Sequence, residues 1–245
     1  MGGIDLEVIA RIHTDFPTKF GVPRQSGLVD ALKGRVVFEP PYRNPDALRG
    51  LEGFSHIWLI WQFSEVKRAR WSATVRPPRL GGNARMGVFA TRSPFRPNPV
   101  GLSCVRLERI ELDSPEGPVL HVAGADMMDG TPVYDIKPYL PFVDCHPEAT
   151  GGFADPVKEK ALRVEFPPEL LKQLPEGARE ALCAVLAQDP RPSYQSDPKR
   201  LYGVPFAGWD VRFTVEDGVL RVREVERLEA EPSGGPTREI PSARS

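Results

Sequence analysis

The chain has 245 residues, of which 40% are hydrophobic and 27% charged, with a formal net charge of -1. That length suits one large domain, or one domain with a smaller appendage, and no apolar run reaches the ~18 residues of a membrane-spanning helix. Its 27 prolines and 22 glycines disfavour a helical bundle and favour a loop-rich β architecture. Cys104, Cys145 and Cys183 are odd in number and widely spaced, which argues against a disulfide framework. The opening Met1-Gly2-Gly3-Ile4-Asp5 has no basic region leading into an apolar stretch, and Leu6 stands where myristoylation wants Ser or Thr. A cytoplasmic protein is therefore expected.

In chain order, the alternation from Ile4 through Val8 and on to Ile12 predicts a first strand. Arg35 to Glu39, His56 to Phe63, Met86 to Thr91, Leu102 to Leu112 and Val119 to Ala123 are further strand candidates, each bounded by Gly, Pro, Asn or Asp. Asp46 to Leu51 allows one short helical turn. Many short strands with little helix between them predict a closed or partly closed barrel over residues 1–147. Composition changes near Cys145, and His146 to Pro156 reads as a linker. A small α+β domain over residues 148–230 follows: Pro168 to Gln188 carries apolar residues at helical spacing, interrupted at Pro175-Glu176-Gly177. Trp209 to Val215 and Val219 to Val225 alternate across Asp217-Gly218, a hairpin signal. Residues 231–245 are rich in Pro, Gly and Ser, and disorder is expected there. The fold class is thus β-rich, α+β overall.

The charge is segregated. From Val66 to Leu107 the chain carries nine Lys and Arg and no Asp or Glu, so all 33 carboxylate side chains lie elsewhere. Such a stretch can be an ordinary solvated face. Here it is interleaved with Trp71, Phe89 and Phe95, which offer stacking faces, and stiffened by prolines at 77, 78, 94, 97 and 99. That combination points to a polyanionic partner such as a nucleic acid.

Three other segments are candidates. Pro23-Arg24-Gln25-Ser26-Gly27-Leu28 is either a surface turn or a loop whose Arg24 and Gln25 hold a carboxylate or an adenine edge. Asp126 to Tyr139 reads as a loop with three carboxylates, a lysine and Gly130, able to bind an amine or a ribose; the alternative is a pair of Asx turns with a local ion pair. Arg191 and Tyr194 lie in a loop able to grip phosphates and stack bases, and packing of Tyr194 and Tyr202 onto the hairpin accounts for them equally well. His13, His56, His121 and His146 never occur at metal-ligand spacing, and no metal is expected. There is no strand–GxGxxG–helix unit and no Gly-x-Ser-x-Gly elbow, which argues against a Rossmann site and serine hydrolase chemistry.

Several motifs in one order resemble the TrmO family of tRNA methyltransferases and its TsaA-like domain. They are Pro23-Arg24-Gln25, Gly50 to Trp58, Arg76-Pro77-Pro78-Arg79, Arg85 to Pro99, Asp129 to Val133 and Asp189 to Tyr194. The resemblance covers almost the whole chain before the tail. It implies a single-sheeted β-barrel, a homodimer with the cofactor near the subunit interface, and S-adenosylmethionine-dependent methylation of N6 in threonylcarbamoyl-adenosine beside the anticodon. By position, Pro23, Arg24, Gln25, Arg92, Leu102 and the loop from Asp126 through Asp129, Gly130 and Thr131 to Pro132 should line the cofactor. Ser64 and Glu65, at a pair that varies in the family, should contact the cofactor too. Catalysis is expected from Arg92 with Asp126 or Asp129, and tRNA contact from Arg76, Arg79, Arg85, Arg96, Arg191 and Tyr194. The earlier half of the acid-free stretch should meet the tRNA backbone, the later half the methyl-transfer pocket. A non-catalytic RNA-binding protein using the same basic surface is the alternative; a small-molecule enzyme on a barrel leaves that surface unexplained.

Overall fold

A computed structural model describes residues 5–66, 71–77, 84–154, 161–191 and 197–228. The first part contains β1 (Ala10–Thr14), β2 (Lys33–Phe38), β3 (His56–Gln62), β4 (Thr74–Val75), β5 (Met86–Gly87), β6 (Val100–Glu111), β7 (Val119–Ala123) and β8 (Thr131–Pro138). Six of these close into an antiparallel barrel in the order β1-β2-β7-β6-β3-β8. Closure leaves no unpaired strand edge, so backbone donors and acceptors are satisfied without a covering helix. On β3 the strand period puts Ile57, Leu59 and Trp61 inside, while His56, Trp58, Ile60 and Gln62 stay half-exposed. Ile12, Val36, Leu120, Val122, Met127 and Val133 complete much of that interior. β4 and β5 form a separate two-stranded ribbon.

Several expectations are corrected in detail. The first strand starts at Ala10, and just before it Ile9 N–H donates to Val133 O while Ile9 O accepts from Glu39 N–H. Met86 to Thr91 is a strand only at Met86–Gly87: its partner β4 has two residues, and the chain then tightens into a 3-10 turn, Val88–Ala90, whose Val88 carbonyl accepts from Thr91 N–H. The segment read as a loop from Asp126 to Tyr139 becomes β8 from Thr131 onwards, pairing with both β1 and β3. Pro132 and Pro138 at its ends obscure the strand pattern, since proline reads as a strand breaker. The helical turn expected after Asp46 is present as two 3-10 turns, Pro45–Leu48 and Leu51–Gly53.

After the short helix α1 (Pro141–Asp144), the second part comprises β9 (Arg163–Glu165), α2 (Pro168–Leu171), α3 (Glu176–Ala187), β10 (Tyr202–Phe206), β11 (Trp209–Glu216) and β12 (Val219–Arg227). The sheet runs β10-β11-β12-β9, with β9 parallel to β12. The hairpin at Asp217-Gly218 is where the sequence pattern puts it, and the helical break falls just earlier than expected, at Lys172 to Pro175, with Glu176 and Gly177 opening α3. β10 escapes a pattern reading because Pro205 interrupts it, which is tolerated on an edge strand. The tail from residue 231 lies outside the described residues.

The two parts share a core. The β1–β2 connection leaves the barrel and delivers Phe16, Val29 and Leu32 into the cluster formed by α3 and the second sheet. Phe16 and Phe206 meet edge to face with centroids 5.0 Å apart, and Ala207 N–H donates to Asp15 O at 2.9 Å. Gly21 permits this approach: its φ is +88°, and a Cβ there would sit 2.7 Å from Val204 Cγ1. Phe16→Ala is expected to cost about 3–5 kcal/mol, read as a lowered urea midpoint, and to loosen both parts together.

Candidate active site

A cleft of about 1550 Å³ opens at one end of the barrel. It is built by the β1–β2 connection, the end of β3 and the chain leaving it, the β4–β5 ribbon and its flanks, the loop from Phe89 to Arg96 with the start of β6, the β7–β8 loop, and Gly151, Phe153 and Ala154. Pro23, Arg24, Gln25, Ser64, Glu65, Arg92, Leu102, Asp126 and Thr131 all line it. Three sequence-assigned residues do not: Asp129, Gly130 and Pro132 face the β1 side instead. Asp129 Oδ1 lies 3.0 Å from His13 Nδ1 and accepts from Thr14 N–H at 3.1 Å, and Arg11 donates to Gly130 O at 3.2 Å. Of the two candidate carboxylates, only Asp126 shares the cleft with Arg92.

Asp126 is held by a chain of donors that starts inside the barrel. Trp61 and Gly101 are direct cross-strand partners on β3 and β6. The indole folds over Gly101 so closely that a Cβ there would be 2.3 Å from Trp61 Cε2. Trp61 Nε1–H thereby reaches Ser103 Oγ at 2.9 Å, and the Ser103 hydroxyl donates to Asp126 Oδ1 at 2.6 Å. The strand period makes this possible, since Gly101 and Ser103 share the inward face of β6. A bulge in β8, where Ile60 faces Asp135 but Trp61 faces Val133, re-aims the strands at this point. The backbone N–H groups of Asp126 and Ser26 also donate to the carboxylate.

Burial pushes the Asp126 carboxyl above its ordinary value; the Ser103 hydroxyl, those amides and the charge of Arg92 pull in the opposite direction without overcoming it. Arg92 itself is oriented by Gln25, whose Oε1 accepts from Nη1. Arg96 staples its own loop, its Nη1 donating to Thr91 O at 2.9 Å and Ser93 O at 3.4 Å. Arg76 and Arg85 line the same cleft, and Arg85 also donates to Thr74 Oγ1 at 3.2 Å. Arg191 is elsewhere, paired through two 2.8 Å bonds with Asp189 and lying over the Tyr202 ring. Arg79 and Tyr194 lie outside the described residues.

Sequence reasoning missed Ser103 and Trp61. The available signal was a polar residue at an inward position of a strand: among the described residues, Ser103 and Thr131 are the two polar side chains that are buried, Thr131 lining the cleft and Ser103 reaching it through Asp126. No group of three or more potential metal ligands occurs among the described residues.

Residues 11–145 match the family model for the tRNA-methyltransferase O N-terminal domain, and residues 159–228 match that for the TrmO C-terminal domain. The chain belongs to the TrmO family. It is 42% identical to the protein named tRNA (adenine(37)-N6)-methyltransferase of Escherichia coli K12, over 92% of this chain and 99% of that one. A protein of the same name from Eikenella corrodens is 50% identical over 72% of this chain and 99% of its own length. The fold is also that of a TrmO crystal structure from Pseudomonas aeruginosa, with a TM-score of 0.73, 34% identity and coverage of 91% of this chain and 99% of that one. The family assignment and the barrel expected for it both stand.

Carbon-13 NMR of the Asp126 carboxyl should show it titrating above 3.8, its unperturbed value. Ser103→Ala, which removes a donor to the ionised form, should move it further up. Because the folded state holds this proton more tightly than the unfolded chain, ionisation costs stability: the contribution is favourable below the unfolded value and is lost as pH rises through the folded one. Urea unfolding should therefore show the stability of wild type falling relative to Asp126→Asn as pH rises across that range.

Proposed function

We propose that this protein methylates N6 of threonylcarbamoyl-adenosine beside the anticodon of tRNA, using S-adenosylmethionine, and works as a homodimer in the cytoplasm. The observation that carries the reading is the half-buried Asp126 carboxylate facing into a cleft otherwise rich in arginine. A surface that only binds RNA gains nothing from burying a carboxylate, which repels phosphate and costs desolvation. A transferase that must remove a proton has a use for one. The relatives' name, tRNA (adenine(37)-N6)-methyltransferase, supports the same activity. Another relative, from Pseudomonas aeruginosa, is named as a putative S-adenosylmethionine-dependent methyltransferase.

The cleft suits that methyl donor. Its carboxylates Asp126 and Glu65 complement a cation and an ammonium group, Arg24 complements a carboxylate, Gln25 an adenine edge, and Val100 and Leu102 give an apolar wall. S-adenosylmethionine held by these residues would supply an electrophilic methyl group to N6, with a thioether as the leaving group. The chain's own residues do the rest. Asp126 accepts the N6 proton, and its raised affinity for protons makes it a better base than an ordinary aspartate. Arg92, fixed by Gln25, meets the anionic threonyl carboxylate and aligns N6. Arg96 keeps the Arg92 loop in shape through its bonds to Thr91 and Ser93. Arg76 and Arg85 neutralise phosphates at the cleft.

The dimer reading draws on exposed apolar side chains outside the barrel. Leu102 projects from β6, and Phe142 (83% exposed) and Val143 from α1, which is tied to β3 by the 3.0 Å bond from Trp58 Nε1–H to Asp144. No helix among the described residues is long and apolar enough to cross a membrane. A cytoplasmic location would give access to the tRNA pool.

Incubation with labelled S-adenosylmethionine and tRNA, with and without the threonylcarbamoyl group, should give transfer to the modified tRNA alone; no transfer to any tRNA would falsify the enzyme reading. Arg92→Ala and Asp126→Asn should each lower kcat by about 10²–10⁴-fold with circular dichroism unchanged, and normal turnover in either removes its assigned role. Binding of tRNA should weaken steeply with salt, and Arg76→Ala should reduce the slope of log K against log salt by about one.

A further inference from the structure

Two aromatic rings beside the cleft have no place in either core. Trp71 precedes β4, and Phe89 lies in the 3-10 turn after β5. Their rings face each other at 27°, with centroids 6.2 Å apart, and remain 53% and 73% exposed. Phe89 is not on a loose segment. Val88 beside it is buried, its N–H donates to Ala73 O at 2.9 Å, and the hydroxyl of Thr91 donates to Val88 O at 2.8 Å. The backbone of the turn is therefore anchored while the ring projects into solvent. Two large apolar faces held out in this way forgo burial that would favour folding.

The surroundings select what covers them. Phe89 lines the cleft together with Arg76, Arg85 and Arg92, and the sequence around the pair has no carboxylate between Val66 and Leu107. Flat aromatic faces set among cations match a nucleobase carried on its phosphate backbone. A methyl-transfer site for an adenine has a further need. The target base must leave the stack of the loop to present N6, and its neighbour then loses a stacking partner.

We propose that Trp71 and Phe89 form a stacking subsite for an unpaired nucleobase next to the methylated adenosine. The subsite replaces, with aromatic rings, the stacking that the neighbouring base gives up when the target enters the cleft. It rests on the tRNA-methylation reading and specifies which feature of the RNA is gripped. An aromatic platform tolerates any base, since every base has a π-face, so this contact adds affinity without selecting sequence.

The test measures binding of an anticodon stem–loop RNA carrying threonylcarbamoyl-adenosine by fluorescence anisotropy. It compares wild type with Trp71→Ala, Phe89→Leu and Phe89→Tyr, using RNA that is intact or abasic at each nucleotide flanking the target. Trp71→Ala and Phe89→Leu should weaken binding about 5–150-fold, the range that stacking on one base supplies, and Phe89→Tyr should restore most of it. The abasic RNA should bind wild type more weakly and show little further loss with the variants, because one contact cannot be removed twice. Equal losses on intact and abasic RNA, or normal binding by Phe89→Leu, overturn the subsite while leaving the enzyme reading in place. A fall of the Trp71→Ala mass to that of a monomer, by light scattering, overturns it in favour of a subunit contact. Failure of wild type to bind RNA at all removes the subsite and the functional reading together.

Discussion

Taking a carboxylate out of water costs several kcal/mol unless donors meet it, and the Asp126 side chain imposes that condition on everything around it. Its partners must come from rigid elements, because a mobile donor would leave the charge unmet part of the time. The barrel provides them. Ser103 can sit inside β6 only because its hydroxyl has both an acceptor in Asp126 and a donor in Trp61. Trp61 can turn its N–H inward only because position 101 has no side chain. One polar chain thus runs from a closed apolar interior to the mouth of the cleft, and each link is satisfied by the next.

The parts of this architecture that sequence pattern reveals are those where the strand period is uninterrupted. His56 to Gln62 and the hairpin at Asp217-Gly218 alternate cleanly and fold as they read. β8 and β10 do not, because Pro132, Pro138 and Pro205 stand inside them, and a proline's cost depends on whether its missing N–H faced a partner. That is a property of the pairing, which exists only after folding. The cleft follows a similar division. Arg92, Gln25 and Asp126 are legible as members of dense polar motifs, whereas Ser103 and Trp61 look like ordinary strand residues until the barrel turns them inward. Asp129 lies in the densest motif of all, yet the start of β8 draws it to His13 and Thr14.

The acid-free stretch divides less neatly in space than along the chain. Arg76 and Arg85 border the same cleft as Arg92, so the phosphate neutralisation and substrate alignment proposed for them would share one electrostatic environment. Within it the arginines differ by what else they touch. Arg96 is absorbed by carbonyls of its own loop, while Arg92 takes its orientation from Gln25, more than sixty residues earlier in the chain. Charge count alone does not separate these environments; hydrogen-bond partners do.

The connection between β1 and β2 bears on how the molecule responds to damage far from its chemistry. One end of that segment presses Phe16 into the second sheet, and further along it Gln25 steadies Arg92. The C-terminal domain is therefore a foundation for the cleft as well as a neighbour to it. A lesion that slackened α3 or the second sheet would reach the guanidinium through this one strap of chain, surfacing as poor alignment at the cleft long before the barrel itself came apart.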